Sequence, residues 1–265
     1  MGSATRSATI AVHAALAKSL PASLTTAEAL FGASAVIASS TQLRSTLSDP
    51  AIDAGEKQKL VTDLFGKSFD KAALALVVSA TAQRWSTLND LVAGIEDLAL
   101  RAAASSVTGP GEIESELFSF ARAVSSNAEL ELALGSKLGN PEAKATLART
   151  LLTKAKALPA TVVVVSSLVQ NPRGRRIGAL LSSAAATIAN QGGYLVATVT
   201  SAQPLDPAQL TAVSSSVAML YGRKAVLDVH VDARALGGVR IQVGDDVIDG
   251  SIATLLDDLR SQLAG

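Results

Sequence analysis

Cysteine is absent from all 265 residues, which excludes disulfides and thiolate metal sites and fits a reducing compartment. Histidine occurs only as His13 and His230. These lie in different parts of the chain, which argues against an imidazole zinc site, and neither has a carboxylate at triad-like spacing. Aromatic residues make up 3% of the chain, too few for base stacking. Lysine and arginine total 23 and so do aspartate and glutamate, so no net field draws the chain to nucleic acid. No stretch approaches the roughly 18 consecutive apolar residues of a membrane span. Thr5-Arg6-Ser7 leads into an amphipathic pattern rather than the apolar core of a signal peptide. Neither the phosphate-cradling G-x-x-x-x-G-K-[ST] loop nor the G-x-S-x-G nucleophile elbow occurs. The acid pairs Glu96-Asp97, Asp245-Asp246 and Asp257-Asp258 are adjacent in sequence. Adjacent residues on a helix do not face one another, so these pairs do not form shared carboxylate sites. The expectation is a protein that is not an enzyme, with no catalytic residue, cofactor or metal.

What is present is hydrophobic and periodic. Apolar residues make up 48% of the chain, too many for a disordered protein. Residues 1–192 carry them at three-to-four spacing, which predicts helices over about 4–20, 25–39, 41–48, 53–66, 70–83 and 86–106. Thr108-Gly109-Pro110-Gly111 interrupts the pattern. Helices resume over about 112–126, 127–135, 140–156, 159–169 and 173–190, and Gly192-Gly193 closes the helical region.

This region contains a repeat. AEALFGASAVIASSTQLRSTL from Ala27 lies over ESELFSFARAVSSNAELELAL from Glu114, an offset of 87 residues. At that offset Leu30-Phe31 meets Leu117-Phe118, Leu47 meets Leu134, Lys57 meets Lys144, and Val77-Val78 meets Val164-Val165. Two related helical bundles in tandem are expected, the second without a counterpart of helix 4–20.

The last fifth reads differently. Tyr194–Ser201 and Val226–Val231 alternate as strands, the second with Leu227, Val229 and Val231 on its buried side and Asp228 and His230 on the other. Between them, Asp206-Pro207 starts a helix that Gly222 can close. Gly237-Gly238 suggests a bulge, Val239–Val243 alternates, and Gly244-Asp245-Asp246 turns the chain into Val247-Ile248. Asp249 or Ser251 can cap a terminal helix with the stripe Ile252, Leu255, Leu256, Leu259 and Leu263. The fold class is α+β, mainly α: a helical bundle at 1–106, a second at 112–190, and a β-α-β-β-α domain at 193–265.

The phrase GGVRIQVGDDVIDGSI before a Leu-rich end resembles the delta subunit of F-type ATP synthases, the family of the mitochondrial oligomycin-sensitivity-conferring protein. Gly237, Gly238, Gly244, Asp249, Gly250 and Ser251 carry the motif. The extra bundle resembles the actinobacterial branch. The resemblance implies a non-catalytic stator subunit at the cytoplasmic side of the cell membrane, held there only through its complex. It implies that the first bundle binds N-terminal helices of the alpha subunits in a groove between its first and fifth helices, read here as 4–20 and 86–106. Ile10, Leu16, Leu88, Leu91, Val92 and Ile95 would line that groove. It also implies that the C-terminal domain binds the C-terminal ends of the b subunits.

Two features stand beside that reading. Ala143 to Leu205 contains no acid but seven bases, densest at Arg173-Gly174-Arg175-Arg176. The cluster reads as a solvated helix end, with phosphate or anionic lipid as the alternative. The β-α-β-β-α order also admits a regulatory protein with a ferredoxin-like small-molecule domain, or a generic helical scaffold.

Overall fold

The computed structural model describes residues 2–109, 111–136, 139–233 and 238–249. Helices α1 (Ser3–Ala17), α2 (Leu24–Ser39), α3 (Thr41–Ser48), α4 (Ala54–Phe65), α5 (Lys71–Thr81) and α6 (Leu88–Ser105) form the first set. The second set is α7 (Glu112–Ser125), α8 (Ala128–Gly135), α9 (Pro141–Lys154), α10 (Pro159–Gln170) and α11 (Ile177–Gln191). Local chemistry fixes many of these starts. Ser23, Ser40, Asp53, Asp70, Thr87, Asn127 and Asn140 each accept a hydrogen bond from a first-turn amide. Such a cap contributes about 1 kcal/mol.

Helices α2 to α6 begin at residues 24, 41, 54, 71 and 88, and α7 to α11 at 112, 128, 141, 159 and 177. The packing follows the same correspondence. The contacts α2–α3, α2–α5, α2–α6, α3–α6, α4–α5 and α5–α6 recur as α7–α8, α7–α10, α7–α11, α8–α11, α9–α10 and α10–α11. Burial recurs as well: Leu30, Leu47 and Val77 are matched by Leu117, Leu134 and Val164, all 0% exposed. Even Lys57 and Lys144 are both buried. Helix α1, which packs on α5 and α6, has no such partner in the second set.

The two sets share one core, which runs from Ala8 to Ile188. Helix α6 lies at its centre, between α2 and α11. Its Gly94 is a required glycine: a β-carbon there would stand 2.2 Å from the indole of Trp85. Trp85 is held by its ring N–H, which donates to the Ala80 carbonyl at 2.8 Å.

The remaining described chain forms β1 (Leu195–Ser201), α12 (Pro207–Tyr221), β2 (Ala225–Val231), β3 (Val239–Val243) and β4 (Asp246–Asp249). Asp206 and Gln209 make a reciprocal capping box ahead of α12, and Gly222 ends it at φ 66°. The sheet order is β2-β1-β3-β4. β1 pairs parallel with β2 and antiparallel with β3, and β3–β4 is a hairpin turned at Gly244, φ 59°. A ferredoxin-like split β-α-β unit would insert a strand between β1 and β2. Their direct pairing removes the structural basis of the small-molecule reading.

Strand β2 departs from expectation. Asp228, assigned to the open side, is buried at 7% exposure, and Val231, assigned to the buried side, is 54% exposed. The face bearing Val226 and Asp228 turns toward α7, where a charged partner, Arg122, compensates the buried carboxylate.

Candidate interaction surfaces

Helix α1 lies beside α6 in parallel register. Thr5 Oγ1 donates to the Asp90 carboxylate at 2.6 Å, and His13 meets Asp97 at 2.5 Å. Asp97 also receives Arg101 Nε–H at 2.8 Å, and Arg101 reaches Gln191 of α11 at 3.2 Å. Burial pushes the Asp97 carboxyl up, but the hydrogen bonds from His13 and Arg101 outweigh it and hold the group below the usual carboxylate range. One turn of α6 thus ties α1 to α11.

Glu96, the neighbour of Asp97, takes different partners. Arg173 and Arg175, from the loop ahead of α11, both close on it. The loop makes this possible by bending through positive φ at Arg173 (49°) and Gly174 (77°). Two bases of the cluster expected to be a solvated end are therefore spent inside the protein, joining the second helical set to the first. A third junction joins helices to sheet: Asp228 accepts from Arg122 at 3.0 Å and lies 3.0 Å from His230.

The six residues expected in the alpha-subunit groove separate into two groups. Ile10 is 65% exposed and Leu88 39% exposed, whereas Leu16, Leu91, Val92 and Ile95 are at 1% or less. The buried four are core, and the surface between α1 and α6 is lined by polar Thr5, Thr9, Asp90 and Asp97, with Arg173, Arg175, Ser183 and Thr187 of the second set beside them. The span read as a fifth helix is the sixth, α6; the fifth, α5, also packs on α1. Of the C-terminal motif, Gly238 takes φ 77° and Gly244 φ 59°, and Asp249 pairs with Arg240 in the hairpin. Gly237, Gly250, Ser251 and the terminal stripe lie outside the described residues.

The family model of the ATP synthase delta (OSCP) subunit matches residues 12–108 and 98–263. ATP synthase subunit delta of Leifsonia xyli is 46% identical over 266 residues, covering 100% of both chains. Its counterpart in Streptomyces avermitilis is 39% identical over 241 residues, 90% of this chain and 88% of that one. Full coverage means that the Leifsonia relative spans the second helical set too. A chain in a solved Toxoplasma gondii mitochondrial ATP synthase hexamer aligns over 64% of this chain at 22% identity, with a TM-score of 0.42.

Proposed function

The chain belongs to the ATP synthase delta (OSCP) family and is a peripheral-stalk subunit of an F-type ATP synthase; we propose that it works as a non-catalytic strut, gripping the alpha subunits at one end and the b subunits at the other. The observation that carries this is the full-length identity to a delta subunit, on a fold in which two helical sets share one core. A stator must resist the torque of the rotating central stalk. A continuous core with a buried ion-paired seam deforms less than two bundles on a linker, because packed interiors are nearly incompressible.

In this division of labour residues 1–106 take the N-terminal helices of the alpha subunits and residues 193–265 take the b-subunit ends. Recognition is helix-in-groove. Ile10 and Leu88 are the apolar residues of the expected groove that a docking helix reaches without opening the core. On the C-terminal side Met219, Leu220, Val231, Val247 and Ile248 are exposed, the kind of apolar surface that marks an interface. Among the described residues no helix is long and apolar enough to cross a membrane. In the proposed role attachment runs through the complex, peripherally and on the cytoplasmic side. Purification of the tagged chain from mildly solubilised native membranes tests the assignment. Alpha and b subunits are expected together in the eluate; a chain recovered without either refutes it.

A further inference from the structure

The second helical set has no first helix of its own, yet the place of that helix is filled. At the repeat offset α1 (Ser3–Ala17) falls inside α6 (Leu88–Ser105). Burial keeps the same register. The buried residues of α1 are Thr5, Ala8, Val12 and Leu16, and their counterparts Val92, Ile95, Ala99 and Ala103 are each at 1% exposure or less. Packing keeps it too. α1 lies against α5 and α6; α6 lies against α10 and α11, the helices that correspond to α5 and α6 in the repeat.

α6 also buries more than α1 does, as a helix used by two packings must. Leu91, Leu98 and Ala102 are at 0% exposure, whereas the residues at the same places in α1, Ala4, Ala11 and Ala15, are half-buried. α1, α2, α3 and α5 cover α6 from the first set, and α10 and α11 cover it from the second. Polar fastenings across the seam lie on the same helix: Arg173 and Arg175 hold Glu96, and Arg101 reaches Gln191. Two independent bundles would instead be jointed in the glycine-interrupted chain between Ser105 and Glu112.

We propose that α6 is at once the last helix of the first set and the first helix of the second, so that the two sets fold and open as one cooperative unit with no joint between them. Bundles on a linker open as separate units, each with its own free energy. A shared helix forbids this, because opening the second set takes α10 and α11 off α6 and puts its apolar surface in water. The stator gains an unbroken path of packed elements: α1 on α6, α6 on α11, and α11 on β1. That use rests on the stator reading; the cooperativity does not, and it is measured on the purified chain without the synthase, so either can fail alone.

Each set can carry its own reporter. Trp85, the only tryptophan, is buried against Gly94 and reports on the first set. The absence of cysteine allows Lys154→Cys, exposed at the end of α9, to carry an environment-sensitive dye that reports on the second. In denaturant the two signals of the full chain should follow one transition. Leu152→Ala then hollows the second set at a residue of α9 that is 4% exposed, and α9 packs on α10. It should lower both midpoints by the same amount. Leu152→Val makes the same comparison with a smaller shift if the first variant does not fold. A Gly-Ser segment inserted after Thr108 lengthens the connection without touching α6 and should leave the two transitions coincident. A Trp85 midpoint that stays in place while the dye midpoint falls, or transitions that part when the connection is lengthened, overturn the proposal.

Discussion

Arg175 grips Glu96 with both ends of its guanidinium, Nη1 to Oε1 at 2.7 Å and Nη2 to Oε2 at 2.9 Å. Arg173 adds a contact to Oε2 at 2.8 Å, and the Glu96 side chain is 10% exposed. The three residues fasten the loop before α11 to the middle of α6. Removing one member of a fully buried ion pair costs about 3–5 kcal/mol, and the cost here is smaller because the Arg173 and Arg175 side chains remain 23% and 34% exposed. Glu96→Ala, which strands two guanidinium groups, should therefore lower the denaturant midpoint of the chain more than Arg175→Ala does. Equal and negligible effects would show that the seam contributes nothing to holding the sets together.

Asp97 and Glu114 should respond to pH in opposite senses. The Asp97 carboxyl is depressed in the folded state. Its stabilising contribution is full above the unfolded value near 3.8 and is lost as pH falls through the folded one. Asp97→Asn should lower stability at neutral pH by about 1–3 kcal/mol, the worth of charged hydrogen bonds, and the gap to wild type should close in acid.

Burial raises the Glu114 carboxyl, and its own backbone amide opposes the rise. A raised carboxyl favours the fold below its unfolded value of 4.5, and that contribution is lost as pH climbs through the folded value. Glu114→Gln should stabilise the chain at neutral pH and lose its advantage below pH 4.5. Thermal melts of both variants from acid to neutral pH check the two signs together.

Ile10→Glu changes a side chain that is 65% exposed, so far-UV circular dichroism should stay native. Binding of an alpha-subunit N-terminal peptide should weaken tenfold or more, about 1.4 kcal/mol. Leu91→Glu buries a charge at a position of 0% exposure and should unfold the bundle instead. Unchanged affinity in Ile10→Glu and Leu88→Glu alike would remove the groove from this face of α1 and α6.

Local chemistry was legible in the sequence, and long-range pairing was not. Ser40 caps α3 where the periodicity starts it, and the Asp206-Pro207 start and Gly222 end of α12 stand where their residue types demand. Repeat spacing was readable because the packing of α2–α6 is used twice. The Glu96–Arg175 and His13–Asp97 contacts join residues 79 and 84 apart, and no local pattern encodes them. Arginines near a helix start look alike whether they meet water or a buried carboxylate. The expected groove list mixed surface with core for a related reason: α6 is covered by α2 and α11 as well as by α1, so its apolar stripe is wider than one docking face.

The central claim is that this chain ties the catalytic head to the membrane-anchored stalk. ATPase activity in washed membranes tests it, comparing a strain that makes the full chain with one whose chain ends before Gly193. The truncated form keeps α1–α11 and loses the sheet proposed to hold the b subunits. The account predicts that activity moves from the membranes into the low-salt wash, with the truncated chain still bound to the released head. Activity that stays on the membranes and remains coupled to proton flow would contradict it.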